Sequence, residues 1–149
     1  MRVVVDTSVM ISLFSGFYPE RSEISKRIAS LAEVGAIELY SPRLGEFEFI
    51  SVITRFLSKD LAKEAWGIYR SLITEFVGEG VISDILRELS FETSHRVPDL
   101  YFIATTRYLD AVLVTNDRKM VELAKSLGLK AFYLVEESDA FFKLLEVGS

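Results

Sequence analysis

Four acidic residues, Asp6, Glu48, Asp99 and Asp117, stand where alternating strands and helices could gather them. Asp6 closes the β-branched run Arg2-Val3-Val4-Val5 and is followed by Thr7 and Ser8. Asp117 lies two residues past the apolar run 111–115, and Asp99 sits in the first turn of the helix that leads into that run. Glu48 lies on the helix after the second strand. Carboxylates brought this close repel one another, and some keep their protons unless a cation lies among them. Oxygen-only donors favour a hard ion, Mg²⁺ or Mn²⁺. Such an ion keeps several waters, one of which can serve as a nucleophile. The chemistry expected of the cluster is therefore metal-assisted hydrolysis.

Each acid also has an ordinary structural role open to it. Asp6 and Asp117 are good helix caps, Asp99 suits a helix start, and Glu48 on a polar stripe suits solvent. What distinguishes the set is that all four fall on one predicted sheet edge. Thr7, Ser8, Thr115 and Asn116 add short polar groups there. Ser8 and Thr115 are expected to support the site by orienting ligands or waters. Asn116 is compatible with support or with capping.

Composition narrows the alternatives. The chain has 149 residues, enough for one domain with a substantial core. With one histidine, His95, and no cysteine, a two-histidine ribonuclease mechanism, a thiol nucleophile and a histidine-rich zinc site are excluded within one chain. A net charge of −5 argues against a broad basic nucleic-acid surface, though not against a nucleic-acid substrate. No apolar run reaches the roughly 18 residues of a transmembrane helix. A signal-peptide pattern is absent, so a cytoplasmic location without membrane attachment is expected.

The elements that must position the acids follow from periodicity. Strands are expected at 2–5, 37–40, 111–115 and 130–135, with a short one at 81–82. Helices are expected at 7–15, 20–34, 43–58, 60–77, 84–95 and 98–108, then from Asn116-Asp117 to Leu127, and at 137–145. This alternation predicts an α/β fold with a mostly parallel sheet of four to five strands, covered on both faces. On the helix 43–58, Glu48, Ser51 and Arg55 share a polar stripe at about 100° per residue. Glu46 projects the other way, towards the helix dipole or solvent.

The motifs resemble those of the PIN-domain ribonuclease family, and among its members the VapC-type toxins of toxin–antitoxin pairs. VVVDTSVMISLF is similar to the family's opening strand and Asp-Thr-Ser. In SPRLGEFEFISVITR, Pro42 precedes Glu48 by six positions, the family's spacing, which again selects Glu48 over Glu46. PDLYFIATTRYLDAVLVTND resembles the paired third and fourth motifs and carries Asp99 and Asp117. Two positions depart from the pattern: Leu100 where alanine is frequent, and Asp110 where a glycine is common. The resemblance implies a three-layer α/β/α PIN-like domain over 1–149. It implies Mg²⁺- or Mn²⁺-dependent cleavage of RNA by the four acids, homodimers, and an antitoxin protein as partner.

Other readings compete. Phosphatases with an aspartate nucleophile often carry a second aspartate at the alternate position after the first strand, but Ser8 stands there. A noncatalytic PIN-like scaffold or RNA-binding module would not require the four acids. Arg55 and Arg96 are candidate RNA-backbone contacts or plain surface charges, and His95 is read as a surface or interface residue, with a substrate contact as the alternative. Trp66 and Tyr69 are read as core packing, with a dimer or antitoxin groove as the alternative.

Overall fold

The computed structural model describes residues 1–148. Strand β1 (Arg2–Val5) leads into α1 (Thr7–Ile11) and α2 (Pro19–Glu33). Strand β2 (Glu38–Pro42) is followed by α3 (Arg43–Ile53) and α4 (Lys59–Leu72), and β3 (Ile73–Val77) by α5 (Glu79–Thr93) and α6 (Val97–Leu109). Strand β4 (Val112–Thr115), α7 (Arg118–Ser126), β5 (Ala131–Tyr133) and α8 (Leu134–Val147) complete the described chain. The five strands form one sheet in the order β3-β2-β1-β4-β5, and every pairing is parallel.

Successive side chains of a strand point to opposite faces, and that alternation divides the core in two. Val3 and Val5 of β1 and Val112 and Val114 of β4 face one core, built with Val9, Met10, Ile28, Phe49, Tyr69 and Phe141. Val4 and Leu113 face the other, built with Ile82, Leu89, Phe102, Ile103, Met120 and Ala124. Helices α1 to α4 and α8 therefore cover one face, and α5 to α7 the other, giving the expected three-layer α/β/α arrangement. Among the described residues no helix is long and apolar enough to cross a membrane.

The topology reverses at β1. From β1 the chain builds outwards through β2 and β3, then returns to the other side of β1 for β4 and β5. Open parallel sheets bind ligands in the crevice at such a switch point, beyond the carboxyl ends of the strands. Register fixes what meets there. Val5 pairs with Val114, and the Asp6 amide donates to the Val114 carbonyl at 3.0 Å. Asp6 and Thr115 therefore emerge side by side.

The region 60–82 differs from expectation. The helix predicted to Val77 stops at Leu72, and residues 73–77 form an edge strand against β2. The backbone passes from helical to extended at Ile73 itself (φ −87°, ψ 123°), with no glycine or proline to mark it. Leu72 and Phe76 keep a helix-like spacing across the change, so only the pairing with β2 decides the state. Val81 and Ile82 belong to α5 and form no strand. Likewise α3 ends at Ile53, five residues short of position 58, before Ser58 caps α4 by accepting from the Leu61 amide.

Two local details explain residue choices, the first at the amino edge of the sheet and the second beside the site. Asp110 takes a left-handed conformation (φ 50°, ψ 47°) after α6, which accounts for a glycine preference there. At Gly45 an added Cβ would collide with the Ser41 hydroxyl and press on Phe102 at 3.3 Å. The missing side chain lets α3 lie against β2 and α6, which sets the depth of Glu48.

Candidate functional site

All four predicted acids line one cavity of about 430 Å³ at the carboxyl edge of the sheet, together with Ser8 and Asn116. Asp6 arrives on the end of β1, Glu48 on α3, Asp99 on the first turn of α6, and Asp117 at the start of α7. Arg55 is not among the lining residues.

Asp6 is 7% exposed and makes no side-chain cap bond to its helix, so capping does not explain it. Its Oδ2 accepts from the Ser8 hydroxyl at 2.7 Å and the Thr115 hydroxyl at 2.8 Å. Those hydroxyls in turn accept backbone N–H groups, Ser8 from Asn116 at 3.2 Å and Thr115 from Asp117 at 3.0 Å. The expected supporting residues therefore orient Asp6 and tie it to the loop carrying Asp117. The Asn116 side-chain amide donates to the Ser12 hydroxyl at 3.4 Å. Burial pushes the Asp6 carboxyl above its ordinary value, and the Asp117 charge adds to the rise; the hydroxyl bonds offset only part of it.

Glu48 is half-buried and accepts from the Thr7 hydroxyl at 3.1 Å. Its carboxyl is also raised, first by burial, then by the Asp6 and Asp99 charges; the Thr7 bond and Arg96 work the other way. Asp99 is 7% exposed, and its Oδ2 meets Arg96 Nη2 at 3.3 Å and His95 Nε2 at 3.1 Å. Arg96 and His95 are thus drawn to an acid of the site, a contact the surface reading of His95 missed. Asp117 does cap α7, its Oδ1 accepting from the amides of Lys119 at 2.9 Å and Met120 at 3.4 Å. The capping and site placements hold together for this residue.

Glu46 lies in the first turn of α3, at the helix N-terminus as expected, but it does not meet solvent: it is 8% exposed and accepts from Arg43 at 2.9 Å and from the Trp66 indole N–H at 3.0 Å. Burial alone would raise its carboxyl, but the Arg43 and Trp66 bonds outweigh it and hold it below the ordinary value. Trp66 is accordingly a hydrogen-bonding residue as well as a packing one. Tyr69 is core, stacked on Phe49 with ring centroids 4.3 Å apart.

The donors are oxygens alone, the set a hard divalent cation takes, and the carboxyls of buried Asp6 and half-buried Glu48 are disfavoured in their charged forms. Among the described residues no three or more His, Cys, Asp or Glu side chains are placed so that together they could hold a metal ion. The four acids share a cavity wall. The lining also includes Phe17 and Tyr18 from the turn before α2 and Arg21 from its first turn, which sequence reasoning did not single out. The available signal was two adjacent aromatics in a segment broken by Gly16 and Pro19.

The model of the PIN domain family matches residues 3–126, and the chain belongs to that family. Among curated proteins, none matches. Solved structures match in fold. VapBC-1 from nontypeable Haemophilus influenzae shares 16% identity at a TM-score of 0.70, covering 91% of this chain and 100% of that one. VapBC2 from Rickettsia felis, solved bound to a DNA fragment of its promoter, shares 14% at 0.65, covering 89% and 98%. FitAcB from Neisseria gonorrhoeae shares 13% at 0.61, covering 87% and 96%.

Proposed function

We propose that this PIN-domain chain is a metal-dependent ribonuclease that hydrolyses RNA phosphodiester bonds. The observation that supports it most is the meeting of four carboxylates, from four separate segments, in one cavity at the switch point. Asp6, Glu48, Asp99 and Asp117 would hold one or two Mg²⁺ or Mn²⁺ ions. A bound ion there supplies positive charge to phosphate oxygens and lowers the pKa of water. The chain's own residues supply orientation and proton handling. Ser8 and Thr115 fix Asp6, and Thr7 fixes Glu48. Glu48 lines the cavity with Asp6 and Asp99 and can take a proton from the attacking water. Arg96, held at Asp99, can meet a phosphate of the substrate.

The likeness to VapBC pairs supports a further reading, that the chain is the toxin of such a pair. It would act as a homodimer in the cytoplasm and be restrained by an antitoxin protein. Calorimetric titration with Mn²⁺ and cleavage of a labelled RNA test the nuclease reading. Wild type is expected to bind Mn²⁺ and cleave, and Asp6→Asn to lose both while staying folded. Absence of both in the wild type would favour a noncatalytic scaffold, and full cleavage by Asp6→Asn would contradict the assignment.

A further inference from the structure

We infer that Phe17, Tyr18 and Arg21 form a clamp beside the acidic cavity that stacks one unpaired nucleobase of the substrate and meets its phosphate. The inference takes the ligand's identity as RNA from the nuclease reading; the clamp itself rests on separate residues.

Phe17 is 82% exposed and Tyr18 59% exposed, costly positions for adjacent aromatic rings. Both line the acidic cavity, and both also line a second cavity of about 310 Å³ shared with Pro19, Ile24 and Val135. The two rings therefore stand on the ridge between the carboxylate-lined space and a second cavity that Glu20 and Arg21 also line. A strand whose scissile phosphate lies over the acids can pass its next base across that ridge.

The ridge is anchored. The Phe17 amide donates to the Ser15 hydroxyl at 3.4 Å, and the Tyr18 carbonyl accepts from the Ser22 amide at 3.1 Å as α2 begins. Pro19 fixes the first helical position. Arg21 lies over the Tyr18 ring, 4.1 Å from its centroid. One face of Tyr18 is thus covered by a guanidinium, while Phe17 stays open for a base. Arg21 also lines both cavities, a cation beside an otherwise acidic wall. Aromatic rings with an arginine recognise single strands because every base has a π-face, whereas bases paired in a duplex are already stacked.

The test uses full-length protein carrying Asp6→Asn, which leaves the ridge intact and cannot turn over the probe. The probe is a hexaribonucleotide with 2-aminopurine at one position, whose fluorescence falls on stacking. Quenching is expected for the single strand and not for the same sequence in a duplex. Phe17→Ala or Arg21→Ala, each added to Asp6→Asn, is expected to weaken binding by about tenfold. Equal binding by the three proteins, equal binding of duplex, or no quenching at all would overturn the clamp. Quenching by the clamp with no RNA cleavage by wild type would instead sink the nuclease reading and leave the clamp standing.

Discussion

Helix α3 carries two glutamates, two residues apart, Glu46 buried and Glu48 half-buried, with opposite surroundings. A step of two residues turns about 200° around a helix, so Glu46 and Glu48 look into different neighbourhoods. Glu46 meets Arg43, the Trp66 indole and the charge of Arg70, and its carboxyl is held low. Glu48 meets a single hydroxyl, with Asp6 and Asp99 nearby, and its carboxyl is pushed up. One acid is satisfied by the fold. The other is left in electrostatic debt of the kind that a cation or a substrate proton relieves. Burial alone does not separate a structural carboxylate from a functional one; the sign of what surrounds it does.

Exchanging each acid for its amide is the strongest way to break the contrast. Glu48→Gln is expected to lower RNA cleavage by about 10²–10³-fold, the scale for removing one preorganised charge, with no loss of thermal stability. Glu46→Gln is expected to cleave normally once folded, yet to lose about 1–3 kcal/mol of stability through its weakened charge-assisted bonds. Single-turnover cleavage and thermal melts read both. The comparison is broken if Glu46→Gln is the inactive one.

The hydroxyls that orient Asp6 should show an intermediate effect. Thr115→Val keeps the shape of the strand end but removes both the bond to Asp6 and the acceptor for the Asp117 amide. A loss of about 10–100-fold in Mn²⁺ affinity is expected, measured by calorimetry. Unchanged affinity would mean that Asp6 needs no orienting partner.

Acid titration of the metal-free protein sharpens the same comparison. A carboxyl raised in the folded state penalises folding above its folded pKa, and protonation lifts the penalty as pH falls through that value. Asp6 and Glu48 act this way. A carboxyl held low stabilises the fold above its unfolded value, and that contribution is lost as pH falls through the lowered one. Glu46 acts this way, from a reference value of 4.5. Stability should therefore rise as pH falls from 7 towards that reference, then drop below it. The double variant Asp6→Asn, Glu48→Gln should lose the rise and keep the drop, as read by melting temperature across pH.

Much of this was legible in the sequence because the site sits on strong local signals. The run Val3-Val4-Val5 ending at Asp6, and the run 112–115 followed by Asp117, place the two strands whose ends meet. Helical periodicity separated Glu48 from Glu46 in direction. It could not reveal what Glu46 faces, because Trp66 is twenty residues away on another helix. Strand β3 was hidden for a similar reason: its identity depends on pairing with β2, while its residues continue a helical spacing. The His95 contact with Asp99 was obscured because His95 lies before the helix, outside its regular spacing. Local pattern foretold elements and the residues at their ends, and contacts between distant helices required the fold.

The smallest expected effect isolates the indole bond. Trp66→Phe keeps an aromatic ring on α4 but deletes the N–H that Glu46 accepts. Glu46 keeps Arg43, so the acid stays paired and the loss should be only about 1 kcal/mol. For a chain near 150 residues that corresponds to a fall of roughly 2–4 °C in Tm. The Glu46 carboxyl should also titrate higher, closer to its ordinary value, because one of the two bonds that lower it is gone. NMR titration of the glutamate side-chain carboxyls reads this directly. RNA cleavage should be unchanged, since Trp66 does not line the acidic cavity. If Trp66→Phe instead altered Mn²⁺ binding, the two glutamates of α3 would be coupled through the helix, and the division between a satisfied acid and an unsatisfied one would fail.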